Sequence, residues 1–120
     1  MATFVHEGNS IDYTPGADVA LGAVVVQSDL VGVAQRPIAA NTLGSLAVVG
    51  VFDFPKATGT GSGVAAGASC YWKPAAGEDP AVATIDADDG GEPATAYVLI
   101  GKCIKAATDG ATTARIRLSQ

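Results

Sequence analysis

A chain of 120 residues with 48% hydrophobic, 6% aromatic and 16% charged residues and a net charge of −5 has the size of a single domain, residues 1–120. Its seven Lys and Arg residues are scattered, which excludes the basic patch or stripe of a nucleic-acid binder, and its Gly-broken apolar runs are too short for a transmembrane helix. Alanine, glycine and valine bury little apolar area each, at roughly 25 cal/mol per Å², so the composition predicts an oligomer whose subunits share buried surface.

Gly, Pro and Asp interrupt every window long enough for an amphipathic helix, while short Val/Ile/Thr/aromatic runs recur between them. That pattern predicts an all-β chain. Ala2 to Glu7 opens it, followed by Ser10 to Tyr13, with Ile11 and Tyr13 on one face and Asp12 on the other. Ala23 to Gln27 and Leu30 to Ala34 flank a Ser28-Asp29 turn, and Leu46 to Phe54 is the longest run. The latter is apolar on both faces, as a strand covered on both sides would be, and its second face is predicted to be an inter-subunit contact. Gly50 within it predicts a bulge or a close backbone approach. Ala68 to Trp72, Ala81 to Ile85, Ala96 to Lys105 and Thr113 to Ser119 complete the set. In the last, Ala114, Ile116 and Leu118 alternate with Arg115 and Arg117, so one face is buried and one wet.

The chain repeats itself. Gly16-Ala17-Asp18-Val19-Ala20-Leu21-Gly22-Ala23 matches Gly61-Ser62-Gly63-Val64-Ala65-Ala66-Gly67-Ala68, and Leu30-Val31-Gly32 matches Leu99-Ile100-Gly101. Each half then reaches a polar turn, at 40–44 or 107–111, and a closing strand. Two similar β units are therefore expected to pack as a small barrel or sandwich. The segment 73–93 has no counterpart in the first half and reads as a long surface excursion carrying one short strand, while 56–63 reads as a Gly/Thr/Ser loop between the halves.

Tests for chemistry fail in turn. Gly101-Lys102-Cys103 has Cys where a phosphate loop needs Ser or Thr, and position 96 is Ala where it needs Gly. The acidic run 86–92 places Gly fifth and Glu seventh, not sixth and twelfth as a calcium loop requires. His6 is the only histidine, so a nucleophile–base pair would rest on it alone. Cys70 and Cys103 each sit in an apolar stretch and read as small buried thiols. No enzyme, cofactor or metal site is expected.

The opening Ala2-Thr3-Phe4-Val5-His6-Glu7-Gly8-Asn9-Ser10-Ile11-Asp12-Tyr13 resembles the start of small phage-head decoration, or cement, proteins. Gly22 to Val26, Leu30 to Ala34, Gly50 to Lys56, Ile100 to Cys103 and Ala114 to Leu118 are similar to later landmarks of that family. Relatives have carried a recombinase label, against which the missing phosphate loop and basic groove argue. The resemblance implies a β-barrel or β-sandwich subunit on the outside of a phage head, trimeric over the local three-fold axes of the major capsid protein lattice. It implies assembly in the host cytoplasm, in keeping with an opening that lacks a basic region followed by an apolar run.

The expected contact residues, with capsid or with neighbouring subunits, are Phe4, His6, Ile11, Tyr13, Val51, Phe52, Phe54 and Trp72. Residues 1–14 would be either an arm that adds a strand to a capsid-protein edge or the first hairpin of the barrel. The rival readings are a glycan-binding module using Tyr71, Trp72 and the acidic loop, a recombination enzyme, and a tail component.

Overall fold

The computed structural model describes residues 2–3, 8–91 and 93–119. It is all-β, as the run pattern predicts, with nine strands in two antiparallel sheets among the described residues: β1 (Ser10–Tyr13), β2 (Val24–Gln27), β3 (Leu30–Ala34), β4 (Gly44–Ala47), β5 (Gly50–Pro55), β6 (Ser69–Lys73), β7 (Val82–Thr84), β8 (Val98–Cys103) and β9 (Thr113–Leu118). The first sheet has the order β1-β4-β3-β2 and the second β5-β9-β8-β6-β7. The predicted strand Ala2 to Glu7 lies mostly outside the described residues, and Ala2 and Thr3 have no strand pairing.

The first four strands of the two sheets are counterparts in chain order and position. Ile11 faces Leu46 as Phe52 faces Ile116, and Asp12 faces Ser45 as Asp53 faces Arg115. The turn ahead of the hairpin is built identically in each unit. Gly22 N–H donates to Ala34 O at 2.7 Å and Gly67 N–H to Cys103 O at 2.6 Å, with φ of 84° and 88° at the two glycines. Val19 exchanges two backbone bonds with Ile38, and Val64 exchanges two with Ala107. The internal repeat is therefore structural, and the units meet where the counterpart strands β3 and β8 pack on each other.

Two expectations change. The run Leu46 to Phe54 is not one strand. It breaks at Val48-Val49, β4 staying in the first sheet and β5 entering the second. Gly50 makes the passage at a φ of 122°, a region that side chains disfavour. Continuous apolarity arose because this segment lies where two units join. The boundary between units is thus at 48–49, which places the loop 56–63 inside the second unit and not between the halves. That loop is held by its own chain: Asp109 accepts from Gly63 N–H at 2.7 Å and Gly61 N–H at 3.3 Å.

The second unit closes on itself. β7, the strand carried by the excursion, pairs antiparallel with β6 along Tyr71–Thr84, Trp72–Ala83 and Lys73–Val82. Its other side reaches β5 through a parallel bridge between Ala83 and Lys56, with Ala57 N–H donating to Ala83 O at 3.1 Å. Phe54 fills the interior at 1% exposure and meets Trp72 edge-on, centroids 6.0 Å apart. Cys70, Ala83, Cys103, Ala114 and Ile116 pack around them. Lys56 is buried but satisfied, its ammonium donating to the carbonyls of Ala57, Asp109 and Ala111.

The first unit has a much smaller interior of Ala34, Ile38 and Leu46, with Ile11, Tyr13, Val19 and Val25 half-buried against it. The opposite face of β3, with Val31 and Val33, packs into the main core beside Ile100 and Leu118.

The cysteines are free and buried. Burial pushes the Cys70 thiol up to about 11, and the neighbouring Cys103 adds to the rise. A thiol so placed is uncharged at neutral pH and a poor nucleophile. Alkylation of the native protein at pH 8 is expected to label neither cysteine within an hour, and alkylation in denaturant to label both, read by intact mass.

Candidate interaction surface

The predicted contact residues fall into three groups. Phe4 and His6 lie outside the described residues. Phe54 and Trp72 are 1% and 9% exposed and serve the interior of their own barrel. Ile11, Tyr13 and Phe52 are half-buried, and Val51 is 49% exposed. Alternation along β5 explains the split, since Phe52 and Phe54 point inward and Val51 and Asp53 outward. A buried aromatic within one subunit and one at an interface have the same sequence signature, so residue type alone could not separate them.

The outer face of β5 joins β9 in a band of apolar and charged residues. Val51 faces Arg117 across the ladder, and Asp53 faces Arg115. The Arg115 guanidinium donates to Asp53 through Nε at 3.0 Å and Nη2 at 3.3 Å. That pair holds the Asp53 carboxyl below the ordinary aspartate range. A lowered folded-state value means that any stabilisation from the pair is present above the ordinary value and fades as pH falls through the lowered one. Both partners are half-exposed, so the effect on stability is small. In an NMR titration Asp53 is expected to protonate below the ordinary aspartate range, and Arg115→Ala to return it upward; an unchanged midpoint would contradict the pair.

Beside this band, Leu30, Val48, Val49, Arg117, Leu118 and Ser119 line a hollow of mixed polarity at the junction of the units, and Val49 is 44% exposed. Two further clefts occupy counterpart places. One is lined by Asp12, Arg36, Ile38 and Leu43, the other by Lys105, Ala107, Thr113 and Arg115. A cation stands at the same place in both, Arg36 in the first and Lys105 in the second. Leu43, at 70%, and Leu21, at 65%, are among the most exposed large apolar side chains. Sequence reasoning singled out neither, since each is a lone leucine in a Gly-containing stretch.

These are shallow, open surfaces with no convergent set of nucleophile, base and acid. Among the described residues no group of three His, Cys, Asp or Glu side chains comes together to hold a metal ion. In the acidic run, Asp89 accepts from Gly91 and Thr95 N–H groups and Asp88 from Gly90 N–H, and these bonds hold Asp89 below the ordinary range. Residue 92 of that run lies outside the described residues.

A match to the phage cement protein family model runs over residues 5–118. The chain belongs to the phage cement protein family. No curated protein and no solved structure matches it. Membership gives the cement protein a structural role at the phage capsid and a place in the virion. The family is a structural one and not a class of enzymes. The all-β fold and the family agree with the resemblance carried by Gly50 to Lys56 and the other landmarks.

Proposed function

We infer that this cement protein binds the outer surface of the phage head, contacts the major capsid protein, and stabilises its lattice as a trimer. The family match over residues 5–118 carries the reading. Supporting it is a surface that leaves Leu21, Leu43, Val49 and Val51 exposed on a chain of small residues, which suits burial against neighbours. Several weak contacts joined in one oligomer act with a high effective concentration, so each subunit raises the cost of pulling adjacent capsid proteins apart. Ile11, Tyr13, Val51 and Phe52 are the proposed contact residues within the described part of the chain. Phe4 and His6 are proposed for an arm that adds a strand to a capsid-protein edge.

The test is to measure the solution mass, then mix the protein with purified heads lacking it and sediment them. A trimer that co-sediments and raises the temperature at which heads open supports the reading. A monomer that stays in the supernatant overturns it. Deleting residues 2–7 is expected to leave a folded trimer that no longer binds; unimpaired binding would reject the arm.

A further inference from the structure

The two units differ most in the connection that joins their hairpin strands, and that difference exposes a strand edge. In the second unit the connection from β6 to β8 is long, and it lays β7 between β6 and β5. In the first unit the connection from β2 to β3 is the two-residue turn Ser28-Asp29, with Ser28 at a φ of 53°. No strand closes that unit: β2 ends its sheet, pairing with β3 alone among the described residues. The effect on the interior is direct. Tyr13 and Val25 are half-buried, whereas their counterparts Phe54 and Cys70 are each 1% exposed. Val26 on the open edge is 39% exposed.

We propose that the β2 edge of the first unit is a strand-acceptor site, completed on the phage head by an extended segment of the capsid protein. The inference deepens the capsid-binding reading and rests on it. The second unit supplies the template for the occupant. It runs antiparallel to β2 and parallel to β1, as β7 does to β6 and β5, and its inward side chains are small, as in Ala83. Main-chain bonds provide the affinity and the inward side chains the selectivity. Charge argues against a second copy of this chain. Each copy carries −5, and the flanking elements carry Asp12 on β1 and Asp29 beside β2 with no cation on either strand. Arg36 shares the cleft beside Asp12, so it is the net charge of each copy that disfavours a second copy and favours a cation-bearing strand from another chain. A run of three valines with one open edge is otherwise an aggregation hazard, which occupation in the particle would relieve.

The pairing rule identifies the groups involved. Across a two-residue hairpin, Gln27 and Leu30 form the hydrogen-bonded pair, so alternation leaves the N–H groups of Val24 and Val26 facing outward. The experiment is amide exchange by mass spectrometry on the segment 22–30, free and bound to purified heads lacking the protein, together with binding by Val26→Pro and Val26→Thr. Exchange in this segment is expected to slow more than tenfold on binding. Val26→Pro, which removes an outward N–H and no ladder bond, is expected to bind at least tenfold more weakly, and Val26→Thr like the parent. Binding of the parent without slowed exchange would overturn the acceptor site and leave the capsid reading standing. Slowing already present in the free oligomer would assign the edge to a second copy and overturn the proposal. Failure of the parent to bind heads would remove both readings.

Discussion

Phe54→Ala is expected to lower the unfolding free energy by about 3–5 kcal/mol, the range for emptying a large aromatic from a closed core. The residue is 1% exposed and makes edge contacts with both Phe52 and Trp72. Its neighbours are strands tied to one another on both sides, because β7 closes the sheet between β6 and β5. Such a wall collapses poorly onto a void, which puts the cost toward the upper part of the range. A melt followed by circular dichroism is expected to fall by on the order of 10 °C or more, and Trp72 emission to shift to the red. The counterpart change in the open unit, Tyr13→Ala, removes a ring that is only half-buried and is expected to cost about half as much. Equal losses from the two would contradict the contrast between a closed and an open unit.

Gly101→Ala is the second large effect, and it arises from overlap, not from a void. A Cβ there would overlap the carbonyl oxygen of Arg117 and lie 2.7 Å from the amide nitrogen of Ser119. Both are backbone atoms, so neither can rotate away. Relief requires β8 and β9 to separate where Gly101 pairs with Leu118. A loss of about 3 kcal/mol or more is expected, above the usual cost of overpacking. The counterpart in the first unit is Gly32, whose added Cβ would meet the Leu46 Cβ at 2.8 Å and Cδ1 at 3.1 Å. The Leu46 Cβ is fixed to its backbone and the Ala47 carbonyl oxygen lies at 3.4 Å, so relief needs a small shift of β4, less than the separation that Gly101 demands, and Gly32→Ala is expected to cost about 1–3 kcal/mol. Denaturant midpoints of the two variants check the ranking; a more damaging Gly32→Ala would reverse it.

Most of the strands were legible because alternation and punctuation are local properties. Ala114, Ile116 and Leu118 are buried and Arg115 and Arg117 exposed, as the alternating run requires. The repeat was also legible, since the turn Gly22-Ala23 and its counterpart Gly67-Ala68 need the same backbone geometry. The equivalence of Ile11-Asp12-Tyr13 with Phe52-Asp53-Phe54 was harder to see. It lies outside the longest matching segment, and β5 was hidden in a run that continues from β4. A change of sheet between two apolar strands leaves only Gly50 as its trace. Closure of the second unit was not legible at all. It depends on a long-range pairing between a three-residue strand and the end of β5, and nothing local to Val82, Ala83 or Thr84 signals that destination. Among the expected contact residues, sequence could not tell outward Val51 from inward Phe54 without knowing which parity of β5 faces the barrel.

The turn Ser28-Asp29 has a practical use that follows from the duplication. The same position in the second unit carries the whole excursion between β6 and β8 while both strands persist, with one register shift between Cys70 and Tyr71. A site where one copy of a fold accommodates a long insertion and the other a tight turn is a natural grafting point. Peptides inserted between Ser28 and Asp29 are expected to leave the melting temperature within a few degrees of the parent. A head coated with such a graft would then display the foreign sequence in a regular array.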